Sequence, residues 1–458
     1  MKILKTGINS AAKINYVKKI SPDAVYRLSQ YTYSYEENDR VLIQNTLTKE
    51  IIELTAKEWS AVKTLQNAVQ DYDFIEKNNL TELARKRYIV ESGYDEVKQY
   101  QQTVFVLKTM SGQKKGLFNY TIFPTTGCNA RCIYCYEEGY EVKNMTSETA
   151  ARLVEFICET RQNDKIKLHW FGGEPLSMPH IIRQICTGLQ EHGVSYQSSM
   201  ITNASLMTKE LAHEAKTIWN LEEVQVSLDG TEQDYTLRKK YYNPDKHNYA
   251  VVMKSIHYLA DEGIKVKLRV NVDFDNIERI GGFLESIKKE FGDMENISLY
   301  LAPLFQEQQG ERCIELYKKI MQYNRQIRDL KTSSVQQDKK KLEFRLNYCM
   351  ADSMDKSIVI LPDGSFSNCE YLQDGNSWGN IFDGVTNQER FDELRRPVSV
   401  DAKCAKCPFL PICTPFYKKG CPCWFEKCYE YRCLSTEVLL HNLLKGENIE
   451  INDDDEKI

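Results

Sequence analysis

The sequence predicts an α/β chain: a partial, TIM-like (β/α)6 barrel, preceded by a winged-helix-like α+β domain and followed by a cysteine-rich C-terminal domain. Three observations predict it. Short β-rich runs at 118–124, 166–171, 195–201, 222–228, 264–272 and 296–302 alternate with helical stretches, and parallel strands joined by right-handed crossovers curl toward a barrel. Ahead of these runs, three short strand-like segments precede helices within residues 1 to about 110. Beyond them, eight of the 15 cysteines crowd between Cys369 and Cys433.

The N-terminal segment, 1–112, places strands at Tyr31–Tyr35, Val41–Asn45 and Glu50–Leu54. Glu37-Asn38-Asp39 supplies turn chemistry, and Thr55-Ala56-Lys57-Glu58 is a capping box that opens a helix through Leu65. The barrel takes 113–335, and its ligand-facing residues belong at the carboxyl ends of the strands. The polar run around Lys331–Lys341 reads as a linker to a third domain at 336–440, and the acidic stretch 441–458 as a solvated tail.

A length of 458 residues exceeds what one core supports. With 42% apolar and 27% charged residues the composition is that of a globular protein. A formal net charge of -5, from 60 basic and 65 acidic residues, gives no general attraction to nucleic acid or anionic membrane. Residues 1–20 carry charges throughout and lack a signal-peptide core, and no apolar run is long enough to span a bilayer. The expectation is a cytoplasmic protein without nucleic-acid or membrane partners. In that reducing compartment crowded cysteines point to metal rather than disulfides.

After the first barrel strand comes Thr126-Gly127-Cys128-Asn129-Ala130-Arg131-Cys132-Ile133-Tyr134-Cys135, a C-x3-C-x2-C loop. A closed [4Fe–4S] site takes four cysteines. Three thiolates leave one iron open to a small chelating molecule, whereas structural zinc wants four ligands at other spacings. Gly172-Gly173-Glu174-Pro175 ends the second strand, Thr202-Asn203 the third, and Ser227-Leu228-Asp229-Gly230 the fourth, with Arg238 beyond. Arg269 and Asn271 lie on the fifth strand. Cys158, Cys186 and Cys313 sit in helical stretches without metal spacing and read as buried apolar side chains.

The cysteine loop with its aromatic Tyr134 and the Gly172-Gly173-Glu174-Pro175 run resembles the radical S-adenosylmethionine (SAM) superfamily. The resemblance implies that Cys128, Cys132 and Cys135 hold a [4Fe–4S] cluster whose open iron binds SAM, and that one electron passed to the sulfonium releases a 5′-deoxyadenosyl radical. It further implies SAM contacts at Tyr134, Gly172, Gly173, Glu174, Ser227 and Arg238, and an external electron donor such as flavodoxin or ferredoxin. Thr202, Asn203 and Arg269 are candidates for the same site by their position on the strands, and Arg269 equally suits a structural pair.

Farther along, Asp363-Gly364 sits between Ser357–Leu361 and Ser365–Cys369 as a hairpin turn. Cys349, Cys369, then Cys404, Cys407 and Cys413 in C-x2-C-x5-C, then Cys421, Cys423, Cys428 and Cys433 follow an order that resembles the SPASM domain. That family carries two auxiliary [4Fe–4S] clusters. By its order Cys349, Cys369 and Cys421 or Cys423 serve the first cluster, and Cys404, Cys407, Cys413 and Cys433 or Cys428 the second. Glu370, next to Cys369, occupies the place of an acid proposed as a catalytic base in sulfatase-maturating relatives.

Radical SAM and SPASM together imply an oxidoreductase acting on a peptide or protein side chain. The N-terminal module resembles domains that hold the leader of a ribosomally made precursor peptide, and the layout as a whole resembles thioether-forming peptide maturases. A formylglycine-forming sulfatase-maturating enzyme and a non-catalytic iron–sulfur or zinc scaffold are the alternatives.

Overall fold

The computed structural model describes residues 1–5, 13–111, 116–162, 165–308, 310–330, 354–371, 377–395, 400–412 and 427–446. Cys349, Cys413, Cys421 and Cys423 therefore lie outside the described residues, as do the linker around Lys331–Lys341 and most of the acidic tail. Two compact units emerge, one of residues 1–113, 337–349 and 397–458, the other of 114–336 and 350–396.

In the second unit six parallel strands follow sequence order: β7 (Asn119–Ile122), β8 (Lys165–Trp170), β9 (Ser195–Thr202), β10 (Leu221–Ser227), β11 (Lys265–Val272) and β12 (Ile297–Pro303). Each lies within two residues of a run visible in the sequence, because strict alternation fixes a strand buried on one face. In β9, Tyr196, Ser198, Met200 and Thr202 are buried while the residues between them are exposed or half-buried. The register sets Ile122 beside Trp170, Trp170 beside Met200, and Ser227 beside Arg269, so the carboxyl ends are level and their loops share one rim.

Among the described residues the sheet stays open rather than closing on itself. It continues past β7 with β13 (Ser357–Ile360), parallel to it, and β14 (Phe366–Ser367), antiparallel to β13. The turn of that hairpin carries Gly364 at φ +82, the left-handed region that glycine adopts without cost.

Crossover helices α5 (Ser147–Thr160), α7 (Lys209–Thr217), α8 (Glu232–Lys239) and α9 (Tyr249–Asp261) start at Thr146, Thr208, Thr231 and Asn248, whose side chains accept from backbone N–H groups one turn on. Each cap contributes about 1 kcal/mol. Between α5 and α7, helix α6 (Pro179–Glu191) lays Ile181, Ile182, Ile185, Cys186 and Leu189 on the sheet. Cys186 and Cys313 are buried and Cys158 is half-buried.

In the first unit β3 (Thr32–Glu37), β4 (Arg40–Asn45) and β5 (Glu50–Leu54) form an antiparallel meander, with β1 (Lys2–Lys5) on the far side of β5, and β2 (Tyr26–Leu28) pairs separately with β6 (Ile89–Glu91). The capping box is made: Thr55 Oγ1 accepts from Glu58 N, Glu58 accepts from Thr55 N, and helix α1 runs Ala56–Asn67. Helices α2 (Tyr72–Lys77), α3 (Thr81–Arg85) and α4 (Glu96–Ser111) follow. Period-2 alternation splits the sheet between two cores. Val41, Ile43, Ile52 and Leu54 pack with Trp59, Val62 and Leu65 of α1, whereas Leu42 and Ile51 face Leu439 and Leu440 of a C-terminal helix, Cys428–Leu444.

Candidate functional site

The C-x3-C-x2-C loop leaves β7 and is gripped from both sides. Gly173 N donates to Thr125 O (3.2 Å) and Glu174 N to Gly127 O (2.9 Å). These contacts require glycine: a Cβ on Gly172, at φ +111, would lie 2.2 Å from Thr125 O, and one on Gly173 2.4 Å from Gly127 O. The two glycines thus close on the cysteine loop itself. On the opposite side Arg131 N donates to Lys240 O (3.0 Å), Ile133 N to Arg238 O (3.1 Å), and Tyr242 N to Asn129 O (3.1 Å).

Three thiols are held on this clamped loop. Burial, then the nearby Glu174 carboxylate, pushes Cys128 up to about 12. Burial also raises Cys132 and Cys135. Such thiols keep their protons in the absence of a cation and lose them to a metal, so the donor set suits a three-thiolate iron–sulfur site. Among the described residues no three His, Cys, Asp or Glu side chains are drawn together around a single ion. A four-iron cube offers its irons at separate corners and does not ask its thiolates to converge.

Around the loop the strand ends are tied to one another. Glu174 is buried and accepts from Thr202 Oγ1 (2.6 Å), Asn203 N (2.8 Å) and Leu176 N (3.0 Å), which locks the end of β8 to that of β9. Asn203 Nδ2 donates to Asn129 Oδ1 (2.9 Å) and lies 3.9 Å from Cys128 Sγ. The Tyr134 hydroxyl donates to Asp229, which also accepts from Asn271 Nδ2 (2.8 Å), and Arg269 Nε donates to Asn271 Oδ1 (3.0 Å). Ser227 is half-buried at the end of β10. Arg238 is buried and pairs with Asp273, while its neighbour Lys239 reaches Asp229.

The same unit brings Cys369 and Glu370 beside residues that follow the cysteine loop. Tyr371 stacks on Tyr136 with ring centroids 5.5 Å apart, and His169 Nε2 lies 3.9 Å from Glu370 Oε1. Burial and the neighbouring Glu370 carboxylate push Glu137 up to about 7. Sequence reasoning missed Glu137, His169 and Lys239. Glu137 alone carried a signal, as an acid two positions after the last loop cysteine.

In the first unit Cys404, Cys407, Cys428 and Cys433 are neighbours: burial raises the Cys407 thiol first, and the other three thiols add to that through their charge. A cap-side ion pair in the barrel yields a pH test. Burial by itself would raise Asp234, but Arg279 and Thr231 hold it below the usual carboxylate range. A depressed pKa gives stability that is present above the unfolded value near 3.9 and lost as pH falls through the folded one. Asp234→Asn should cost about 1 kcal/mol at pH 7, since Arg279 is half exposed. The melting-temperature gap from wild type should begin to narrow below about pH 4 and close only once the pH has fallen past the lowered folded value of Asp234; a gap that does not narrow with falling pH contradicts the pairing.

Residues 122–287 match the family model of the Radical SAM superfamily. An uncharacterized protein of Methanocaldococcus jannaschii is 24% identical over 261 residues, 57% of this chain and 87% of that protein. The Fe-coproporphyrin III synthase of Methanosarcina barkeri is 24% identical over 169 residues, and the match spans 36% of this chain and 40% of that enzyme. Among solved structures, anSMEcpe with bound AdoMet superposes with a TM-score of 0.56 at 16% identity, over 72% of this chain and 98% of that one. The same protein with AdoMet and a Kp18Cys peptide gives 0.55 at 17% over the same shares. At these identities the likeness to the solved structures is one of fold.

Proposed function

Because residues 122–287 match the family model of the Radical SAM superfamily, we propose that this chain is a radical SAM enzyme that modifies a ribosomally made precursor peptide, forming a thioether between a cysteine sulfur and a carbon. When bound, the cluster and SAM supply reductive cleavage of SAM and removal of a hydrogen atom from carbon. Cys128, Cys132 and Cys135 would hold the cluster, and the strand ends at Gly172–Glu174, Thr202, Asn203, Ser227 and Arg269 frame the space for SAM. Glu370, beside His169 and Tyr371, is the candidate to take the proton released as the substrate is oxidised.

The observation that carries the peptide reading is the edge of the N-terminal sheet. In the order β1-β5-β4-β3, strand β3 bonds, among the described residues, to β4 on one side only. A leader segment adding there would gain main-chain hydrogen bonds, with selectivity from alternate side chains. Two further facts support the reading. The anSMEcpe fold, which holds a Kp18Cys peptide, is covered almost wholly by this chain, and that match leaves over a quarter of this chain beyond it. Cys404, Cys428 and Cys433 are near enough to Cys407 to influence its thiol, and Glu370, next to Cys369, lies beside His169 of β8. A flavodoxin- or ferredoxin-like donor would deliver the electron. Among the described residues no helix is long and apolar enough to cross a membrane.

The test is anaerobic incubation of the reconstituted chain with SAM, a reductant and a short cysteine-containing precursor peptide. The proposal predicts loss of two hydrogen atoms and of the free thiol from the peptide. A product carrying an aldehyde instead would favour formylglycine formation, and an unchanged peptide alongside SAM cleavage would move the substrate elsewhere.

A further inference from the structure

Lys239 is a buried ammonium that the site as described above does not use. Its side chain is 4% exposed and its Nζ lies 3.5 Å from Oδ2 of Asp229, which is fully buried. The same Nζ sits over the rings of Tyr134 and Tyr235, 5.6 and 5.8 Å from their centroids. A charge is held this far from water only when its surroundings compensate it.

The backbone gives that charge its address. Lys239 ends α8, and Lys240 follows in the left-handed region at φ +37, which turns the carbonyls of 238–240 onto the cysteine loop. Arg238 O and Lys240 O accept from Ile133 N and Arg131 N. Between them Lys239 O faces Cys132 Sγ at 3.8 Å. As a thiol, Cys132 donates to that carbonyl. As a metal ligand it has no proton to give, and a thiolate would meet the negative end of a carbonyl dipole at the carboxyl end of a helix. The charge that offsets this is the ammonium of the residue bearing the carbonyl.

We propose that Lys239 is a positioning residue for the core cluster, whose fixed positive charge beside Cys132 favours the reduced cluster and so raises its reduction potential, with Asp229 opposing it. The inference rests on Cys128, Cys132 and Cys135 holding a [4Fe–4S] cluster. Net charge near a cluster is among the determinants of its potential. Reduction adds one electron, so a nearby cation stabilises the reduced form and a nearby anion the oxidised one.

The test is a redox titration of the fully reconstituted chain, followed by the electron paramagnetic resonance signal that changes when SAM is added. Lys239→Met should lower the reduced-to-oxidised ratio at fixed potential at least about tenfold, which is about 59 mV for a one-electron couple. Lys239→Arg should restore most of it. Asp229→Asn should shift the midpoint the other way, an opposite sign that general loosening of the site would not produce. Unmoved midpoints in loaded Lys239→Met and Asp229→Asn, or shifts of the same sign, overturn the inference. If Lys239→Met does not load, Lys239→Gln is read against the same criterion. If neither lysine variant loads, Asp229→Asn decides, an upward shift supporting the inference and an unmoved or lowered midpoint overturning it. Wild-type protein that assembles no SAM-responsive cluster would overturn the cluster reading itself, which separates the two failures.

Discussion

Alanine at Cys128, Cys132 and Cys135 together should bring 5′-deoxyadenosine formation to background. The three thiols share one loop, and the loop hydrogen bonds to Gly173, Glu174, Arg238 and Lys240 run through backbone atoms that survive the substitution. Folding should therefore persist while the chemistry disappears. The loss should exceed about a thousandfold, a small part of the roughly 10⁶-fold or greater acceleration an enzyme supplies. Iron should fall by about four per chain from about twelve, as for one of three four-iron cubes. SAM cleavage that survives the triple substitution would place the cluster elsewhere.

The second large effect should come from a single methyl group. Gly173→Ala puts a Cβ 2.4 Å from Gly127 O, 2.5 Å from Gly127 C and 2.6 Å from Thr126 O. None of these atoms belongs to a flexible side chain, so the residues just before Cys128 must move. Overpacking of this kind costs about 1–3 kcal/mol. Here the displaced backbone also carries the first cluster cysteine, so Gly173→Ala should lose both stability and iron. Gly193→Ala makes a useful control, because its Cβ meets nothing within 4 Å, although its φ of +68 adds modest strain. Equal iron content in Gly173→Ala and wild type would contradict the close approach.

Barrel strands such as β8 and β9 were legible because they carry their own alternation, and the first helix of the N-terminal unit because Thr55 and Glu58 cap it reciprocally. The Asp363-Gly364 hairpin was legible from its turn pair, but its docking on β7 was not, since nothing local in Ser357–Ile360 states which edge it will join. The helix Cys428–Leu444 shows the same limit. Its cysteines drew attention as ligands, and the burial of Leu42 and Ile51 under Leu439 and Leu440 depends on residues almost 400 positions apart.

Within the site, spacing picked out the loop thiols because three residues of one type at fixed intervals are a local signal. The side chains that surround them answer to tertiary register. Arg238 and Lys239 are adjacent basic residues, and about 100° of helical turn separates their directions. One pairs with Asp273, the other with Asp229.

The most direct test of peptide modification by radical chemistry is isotope transfer. The reconstituted chain, given SAM, a reductant and a precursor peptide deuterated on carbon, should release 5′-deoxyadenosine that carries deuterium, in step with the modified peptide. 5′-Deoxyadenosine formed at the same rate without deuterium, beside an unmodified peptide, would contradict it.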